Sequence, residues 1–303
     1  MASLPERFFD ILVHHSRLIS PLRLLFDLYD DYKATSKTPK AVTAKPPADK
    51  QQRELRDHKR RLQLEQTSQK GRVAEAKIFK TMRSLSDQKA YSPYLNTKRV
   101  TDVAKAFDIR IGRDEHGYFT CFSLYDINGQ FGGLQRIYHQ KPAHWQDNKS
   151  TSKGFNPIGH FAVFGGDLNT VDMVYICEGL ATGLAIYKAT GRPVVVCLMA
   201  ENIAPVSGLI AQYYPDVKRV HVADNDQGKP DFGNTGVYQC AVAVQKYGGW
   251  VFVPQPSRGN DANDVLVYDG LKALKQQIHH MPINYFNEHY SQYVSGIFNY
   301  RFG

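Results

Sequence analysis

Val174-Tyr175-Ile176-Cys177-Glu178-Gly179-Leu180-Ala181-Thr182-Gly183 is the stretch whose reading decides the fold. Four apolar residues in a row read as a strand buried on both faces. Glu178 and Gly179 interrupt them, and Leu180 to Thr190 then has helical spacing. A glutamate between a buried strand and a helix start stands at the sheet edge where open α/β folds gather their ligands. The pattern repeats downstream. Val194 to Met199, Val217 to Ala223 and Trp250 to Val253 read as strands; Ile203 to Tyr213, Thr235 to Tyr247 and Val265 to His279 read as the helices that follow them. Apolar strands alternating with helices predict an α/β fold with a mostly parallel, Rossmann-like sheet covered by helices on both faces.

Acids recur where these elements begin or end. Asp224-Asn225-Asp226 leaves the strand Val220-His221-Val222-Ala223, Gly233-Asn234-Thr235-Gly236 follows, and Asp261-Ala262-Asn263-Asp264 comes later. An Asp-x-Asp pair sends both carboxylates roughly the same way, because side chains alternate with period two. Crowded carboxylates repel, so such a cluster is costly unless a cation joins it. Magnesium suits the set, since it takes few carboxylates and shares itself with phosphate oxygens. Singly, these acids have plainer readings: Asp224-Asn225-Asp226 as a surface turn, Asp261 and Asp264 as caps of the last helix. Glu178 fits a plain structural role less well.

The chain has 303 residues, 42% of them hydrophobic, with 38 Lys and Arg against 29 Asp and Glu, a net charge of +9. That balance favours an anionic partner, nucleic acid or a membrane surface. No apolar run approaches a membrane span, which sets the membrane aside. Pro5, Glu6, Arg7 and Asp10 interrupt the amino terminus before any signal-peptide core develops. Cys121, Cys177, Cys197 and Cys240 are scattered through apolar patterns without a CxxC pair. They read as buried, reduced thiols in a cytoplasmic protein without a zinc ribbon.

Upstream, residues 1–33 carry apolar positions at helical spacing, and 34–50, with three prolines, read as a flexible basic linker. Residues 51–90 are expected to hold one long basic helix, either continuous or broken near Gly71. Residues 91–168 read as an α+β accessory subdomain. Its strands Ile109 to Ile111, Tyr118 to Leu124 and Gly133 to Tyr138 form an antiparallel meander ending in a polar loop, Lys141 to Gly154. The main α/β domain is expected over 169–283, and the tail 284–303 has no assignment. Arg136, Lys149 and Lys153 read either as a groove for template backbone or nucleoside triphosphate, or as ordinary surface cations. Tyr118, Phe119 and Tyr138 either stack on bases or fill the meander's core.

Ile176-Cys177-Glu178-Gly179-Leu180-Ala181-Thr182-Gly183, Pro193-Val194-Val195-Val196, Ala223-Asp224-Asn225-Asp226 with Gly233-Asn234-Thr235-Gly236, and Asn260-Asp261-Ala262-Asn263-Asp264 together resemble the Toprim domain of bacterial-type primases, topoisomerases and certain nucleases. The resemblance is greatest to the Toprim primases of conjugative plasmids and phages. It extends upstream through Tyr94-Leu95, Leu134-Gln135-Arg136-Ile137 and Lys153-Gly154-Phe155, covering roughly residues 90 to 270. It implies Glu178 as general acid, base or metal ligand, Asp224 and Asp226 as a metal pair, and Asp261 and Asp264 as a looser late acidic region. The implied activity is DNA primase: short RNA primers made on single-stranded DNA from ribonucleoside triphosphates, with magnesium or, alternatively, manganese. A separate helicase or relaxase is the implied partner.

The sequence departs from the cellular primases. Thr182 stands where they carry an acid four residues after the glutamate, and neither a zinc-ligand set nor a GxxxxGK[ST] motif is present. Two alternatives therefore stay open: a Toprim nuclease using the same acids, and a non-catalytic single-stranded DNA-binding protein on a Toprim scaffold.

Overall fold

The computed structural model describes residues 48–226 and 234–280. The expected helical segment 1–33, most of the linker, Gly233 and the tail 284–303 lie outside the described residues. The chain divides into two compact units, Met1–Leu62 and Gln63–Gly303, and the packing below belongs to the second.

Helix α1 (Ala48–Thr81) leads into it. The helix runs unbroken through Gly71, which decides between the one long helix and the helix broken there. One exposed glycine costs only about 1 kcal/mol relative to alanine, and the flanking residues are strong helix formers. Then come β1 (Arg83–Ser84), the short helices α2 (Pro93–Thr97) and α3 (Thr101–Ala104), β2 (Arg110–Asp114), β3 (Gly117–Tyr125), β4 (Phe131–Tyr138) and β5 (Lys149–Thr151). These strands form one antiparallel sheet in the order β1-β2-β3-β4-β5. β5 lies inside the segment expected to be a loop. Its Lys-Ser-Thr sequence has no apolar alternation, because it is a short edge strand that contributes backbone pairing rather than core.

The second sheet is built from β6 (Ala162–Phe164), β7 (Met173–Cys177), β8 (Val194–Val196), β9 (Lys218–Val222) and β10 (Trp250–Phe252), in the order β10-β9-β7-β8-β6. Its strands pair in parallel except for the edge strand β6, which is antiparallel to β8. β6 thus joins this sheet from before residue 169.

Period two decides how the sheet is covered. Tyr175 and Cys177 pack with Leu180 and Leu184 of α4 (Leu180–Thr190). Val174 and Ile176 face the other way, onto α5 (Ile203–Tyr213) and α6 (Thr235–Tyr247) through Val206, Ile210, Val237 and Cys240. The first of these cores continues through Phe122, Leu124 and Ile137 of the antiparallel sheet, so the two sheets share one hydrophobic interior. Phe119 and Tyr138 are buried with Phe79, Cys121 and Leu134 beneath the end of α1, which makes them core residues; Tyr118 is exposed. All four cysteines are buried and unbridged.

The last expected helix divides in two. A single turn α7 (Ala262–Asp264) runs into a π-helical turn, Val265–Asp269, and α8 (Leu271–His280) begins after Gly270, whose φ of +92° breaks the helix.

Leu184 is fully buried where α4 meets the sheet. Leu184→Ala is expected to lower the unfolding free energy by about 2–5 kcal/mol. The measurement is the urea midpoint, which should fall without a change in slope.

Candidate active site

Glu178 follows directly on the last residue of β7, and its backbone is pinned there. Its carbonyl accepts from the Leu198 N–H at 2.8 Å, and the Cys177 carbonyl accepts from Cys197 N–H at 2.9 Å. Leu198 has φ of +72°, a left-handed conformation unfavourable for a bulky residue, so local strain sits beside the glutamate. Gly179 then caps α4, and a Cβ at Gly183 would press on Val196 at 3.0 Å and Cys177 at 3.1 Å.

The parallel register places Cys177 opposite Val222. Glu178 and Ala223 therefore leave the sheet side by side, with Asp224 next. The Asp224-Asn225-Asp226 loop is held from two directions. From one, Asn234 caps α6 by accepting from Val237 N–H (3.3 Å), accepts from Asp226 N–H (3.0 Å) and donates to Asn225 Oδ1 (2.6 Å). Gly236 lies so close that a Cβ would collide with the Asp224 carbonyl oxygen, which explains a glycine there. From the other, Asn225 N–H donates to the Asn260 carbonyl (2.7 Å), and Asn260 Nδ2 donates to Asp226 Oδ1 (2.8 Å).

The late loop is knitted in turn. Asp261 caps α7 by accepting from Asp264 N–H at 2.7 Å, and its Oδ2 accepts from Thr182 Oγ1 at 3.1 Å. Thr182, where cellular primases carry an acid, thus binds an acid instead. Asp264 accepts from Asn260 N–H at 3.0 Å and faces Lys98 Nζ at 3.9 Å. Asn263 donates to the Lys98 carbonyl at 2.8 Å, fastening the turn between α2 and α3 to this loop.

The electrostatics follow from burial. Asp224 is pushed up from an ordinary 3.8 to about 8, first by burial and then by Glu178, Asp261 and Asp226, with Lys149 opposing. Asp261 is raised by burial and by Asp264, against the pull of its bond from Asp264 N–H, of Lys98 and of Thr182. Four acids from three separate segments therefore share one field, and Lys149, on the edge strand β5, reaches it. Lys98 carries no signal in the sequence, since a lone lysine in a polar turn does not show where that turn docks. Arg136 is placed differently. Its guanidinium pairs with Glu75 of α1 and lies 5.6 Å from the Phe119 ring centre, so its charge is already matched. Lys153 is exposed beyond β5.

Among the described residues, no three acid, cysteine or histidine side chains form a ready-made cation cage. The donor set nevertheless fits a hard divalent ion. Asp224 Oδ1 is buried without a hydrogen-bond partner among the described residues, an arrangement a cation would satisfy. Magnesium takes one or two carboxylates plus phosphate and water oxygens, and needs no protein cage.

Residues 173–272, spanning β7 to the start of α8, match the Toprim domain family. They form a Toprim domain. Solved structures with similar folds include the zinc-binding and RNA polymerase domains of the Aquifex aeolicus primase, at 15% identity over 74% of this chain and 65% of that one, with a TM-score of 0.52. The DnaG primase catalytic domain bound to ssDNA matches at 13% identity over 72% of this chain and 81% of that one, TM-score 0.51. The DnaG catalytic core matches at 15% over 72% and 83%, TM-score 0.50. At such identities the likeness is one of fold: a Toprim sheet preceded by an antiparallel one.

The raised carboxyl of the Toprim domain has a stability consequence. Folding favours protonated Asp224, so its contribution is fully present below the unfolded carboxylate range and is lost as pH rises through about 8. In metal-free buffer the melting temperature of wild type is expected to fall relative to Asp224→Asn as pH rises from about 5 to 8. Parallel curves for the two proteins would show that Asp224 titrates normally.

Proposed function

We propose that this protein is a DNA primase that makes short RNA primers on single-stranded DNA. The observation that carries the reading is the convergence of Glu178, Asp224, Asp226 and Asp261 at the carboxyl edge of the Toprim sheet, with Asp224 raised to about 8 by burial first and then by the other three acids. The primase-like order of antiparallel sheet and Toprim sheet supports it, as does the net charge of +9, which suits a polyanionic template.

Asp224 and Asp226, with Glu178, would hold magnesium or manganese. Such an ion supplies charge neutralisation for the triphosphate and the transferred α-phosphoryl group. Desolvation around Asp224 strengthens every electrostatic contact made there, because little water remains to screen it. In the reaction the 3′-hydroxyl oxygen of one nucleotide bonds to the α-phosphorus of the next, the bond from that phosphorus to the bridging oxygen breaks, and pyrophosphate leaves. Glu178 takes up the hydroxyl proton. Lys149 and Lys98, which act on the acids from the accessory side, would meet phosphate charge, with Lys153 beyond them. Arg136 pairs with Glu75 and so holds β4 against α1.

A role in plasmid or phage replication, with a separate helicase or relaxase, belongs to this same reading. Among the described residues no helix is long and apolar enough to cross a membrane.

Glu178→Gln is expected to abolish primer synthesis, by at least about 100-fold, the range typical of a lost acid–base group, with the unfolding midpoint retained. The assay uses labelled single-stranded DNA, ribonucleotides and magnesium. Growth of RNA products in wild type supports the reading; shortening of the DNA would establish the nuclease instead.

A further inference from the structure

The loop carrying Asp226 is gripped by one residue with no assigned role. Asn260 uses its backbone and its side chain at once: the carbonyl accepts from Asn225 N–H at 2.7 Å, Nδ2 donates to Asp226 Oδ1 at 2.8 Å, and its own N–H donates to Asp264 Oδ2 at 3.0 Å. Two loops about 35 residues apart in the chain are joined through it. Its position is set by Gly259, whose φ is +91° and where a Cβ would collide with the Asp264 carboxylate. We propose that Asn260 is a positioning residue that fixes the rotation of the Asp226 carboxylate, and so sets the affinity of the acid cluster for a divalent cation. This rests on the functional reading above.

Residue chemistry supports the assignment. A carboxamide can donate to a carboxylate without adding charge. An aspartate at this position would add another negative group to a cluster whose burial and like charges already raise Asp224, and a lysine would neutralise Asp226 in competition with the cation. Asn234 holds the Asp226 backbone N–H at 3.0 Å, and the Asn260 bond adds a restraint on the rotation of its side chain. A ligand carboxylate oriented in this way loses binding when its partner is removed, typically by about 10–100-fold.

The test is Mn²⁺ binding to the full-length protein, followed by electron paramagnetic resonance, in a double-mutant cycle of Asn260→Ala and Asp226→Ala. Asn260→Ala is expected to weaken Mn²⁺ binding by about 10–100-fold in the otherwise native protein. In the Asp226→Ala background it should change binding by less than about twofold, because the acceptor oxygen it donates to is gone. A merely structural residue would instead give losses that multiply, and multiplying losses overturn the proposal. So does an Asn260→Ala protein that binds Mn²⁺ within about twofold of wild type. If wild type holds no Mn²⁺ that Asp224→Asn loses, the cation reading of the acid cluster fails as well. That outcome is distinct from the failure of Asn260 alone.

Discussion

Like charges brought together out of water are the constraint around which this protein is arranged. Asp224 sits beyond the end of β9, its Oδ1 buried and unpartnered among the described residues, with burial and then Glu178, Asp261 and Asp226 all opposing its ionisation. Such an arrangement opposes folding at neutral pH, so the surrounding structure must enforce it. The parallel register of β7 and β9 sets Glu178 beside Ala223, and Gly236 brings the first turn of α6 onto the Asp224 backbone. Asn234 and Asn260 hold the loop from opposite sides. The left-handed Leu198, tied to the Glu178 carbonyl, is strain accepted at the same spot.

Charge is divided between two structural sources. The acids come from the Toprim sheet and its loops, whereas the cations acting on them, Lys149 and Lys98, come from the antiparallel sheet and the α2–α3 turn. The shared hydrophobic core running from Phe122 and Leu124 into Tyr175 and Leu184 makes this opposition rigid. Asn263 adds a polar fastening at Lys98. An anionic substrate bridged to the acids by a divalent cation would satisfy both sides, which is the physical basis for reading the protein as a nucleotidyl transferase.

The α/β pattern was legible because buried parallel strands are continuous apolar runs and their helices begin at recognisable caps. Thr235–Tyr247 carries the bounds its sequence predicts, with Asn234 as its cap. The acids were legible because they stand where those runs stop. What escaped was everything whose role depends on tertiary placement. β5 and β6 are three-residue edge strands with no periodicity to read. The π-helical turn after Asp264 hides inside an apolar run that looks like ordinary helix. Arg136 reads as a free cation until Glu75, 61 residues away, is found against it. Lys98 and Asn260 are single polar residues in loops, and only the fold shows what they touch.

The central claim is that the Toprim acids form one coupled, cation-ready cluster. Carboxyl-carbon NMR titration of the full-length protein, with and without Mg²⁺, tests it most directly. The account predicts that the Asp224 signal titrates near 8 without the ion, and well below that when Mg²⁺ is added. An Asp224 carboxyl that titrates in the ordinary aspartate range and ignores Mg²⁺ would contradict it.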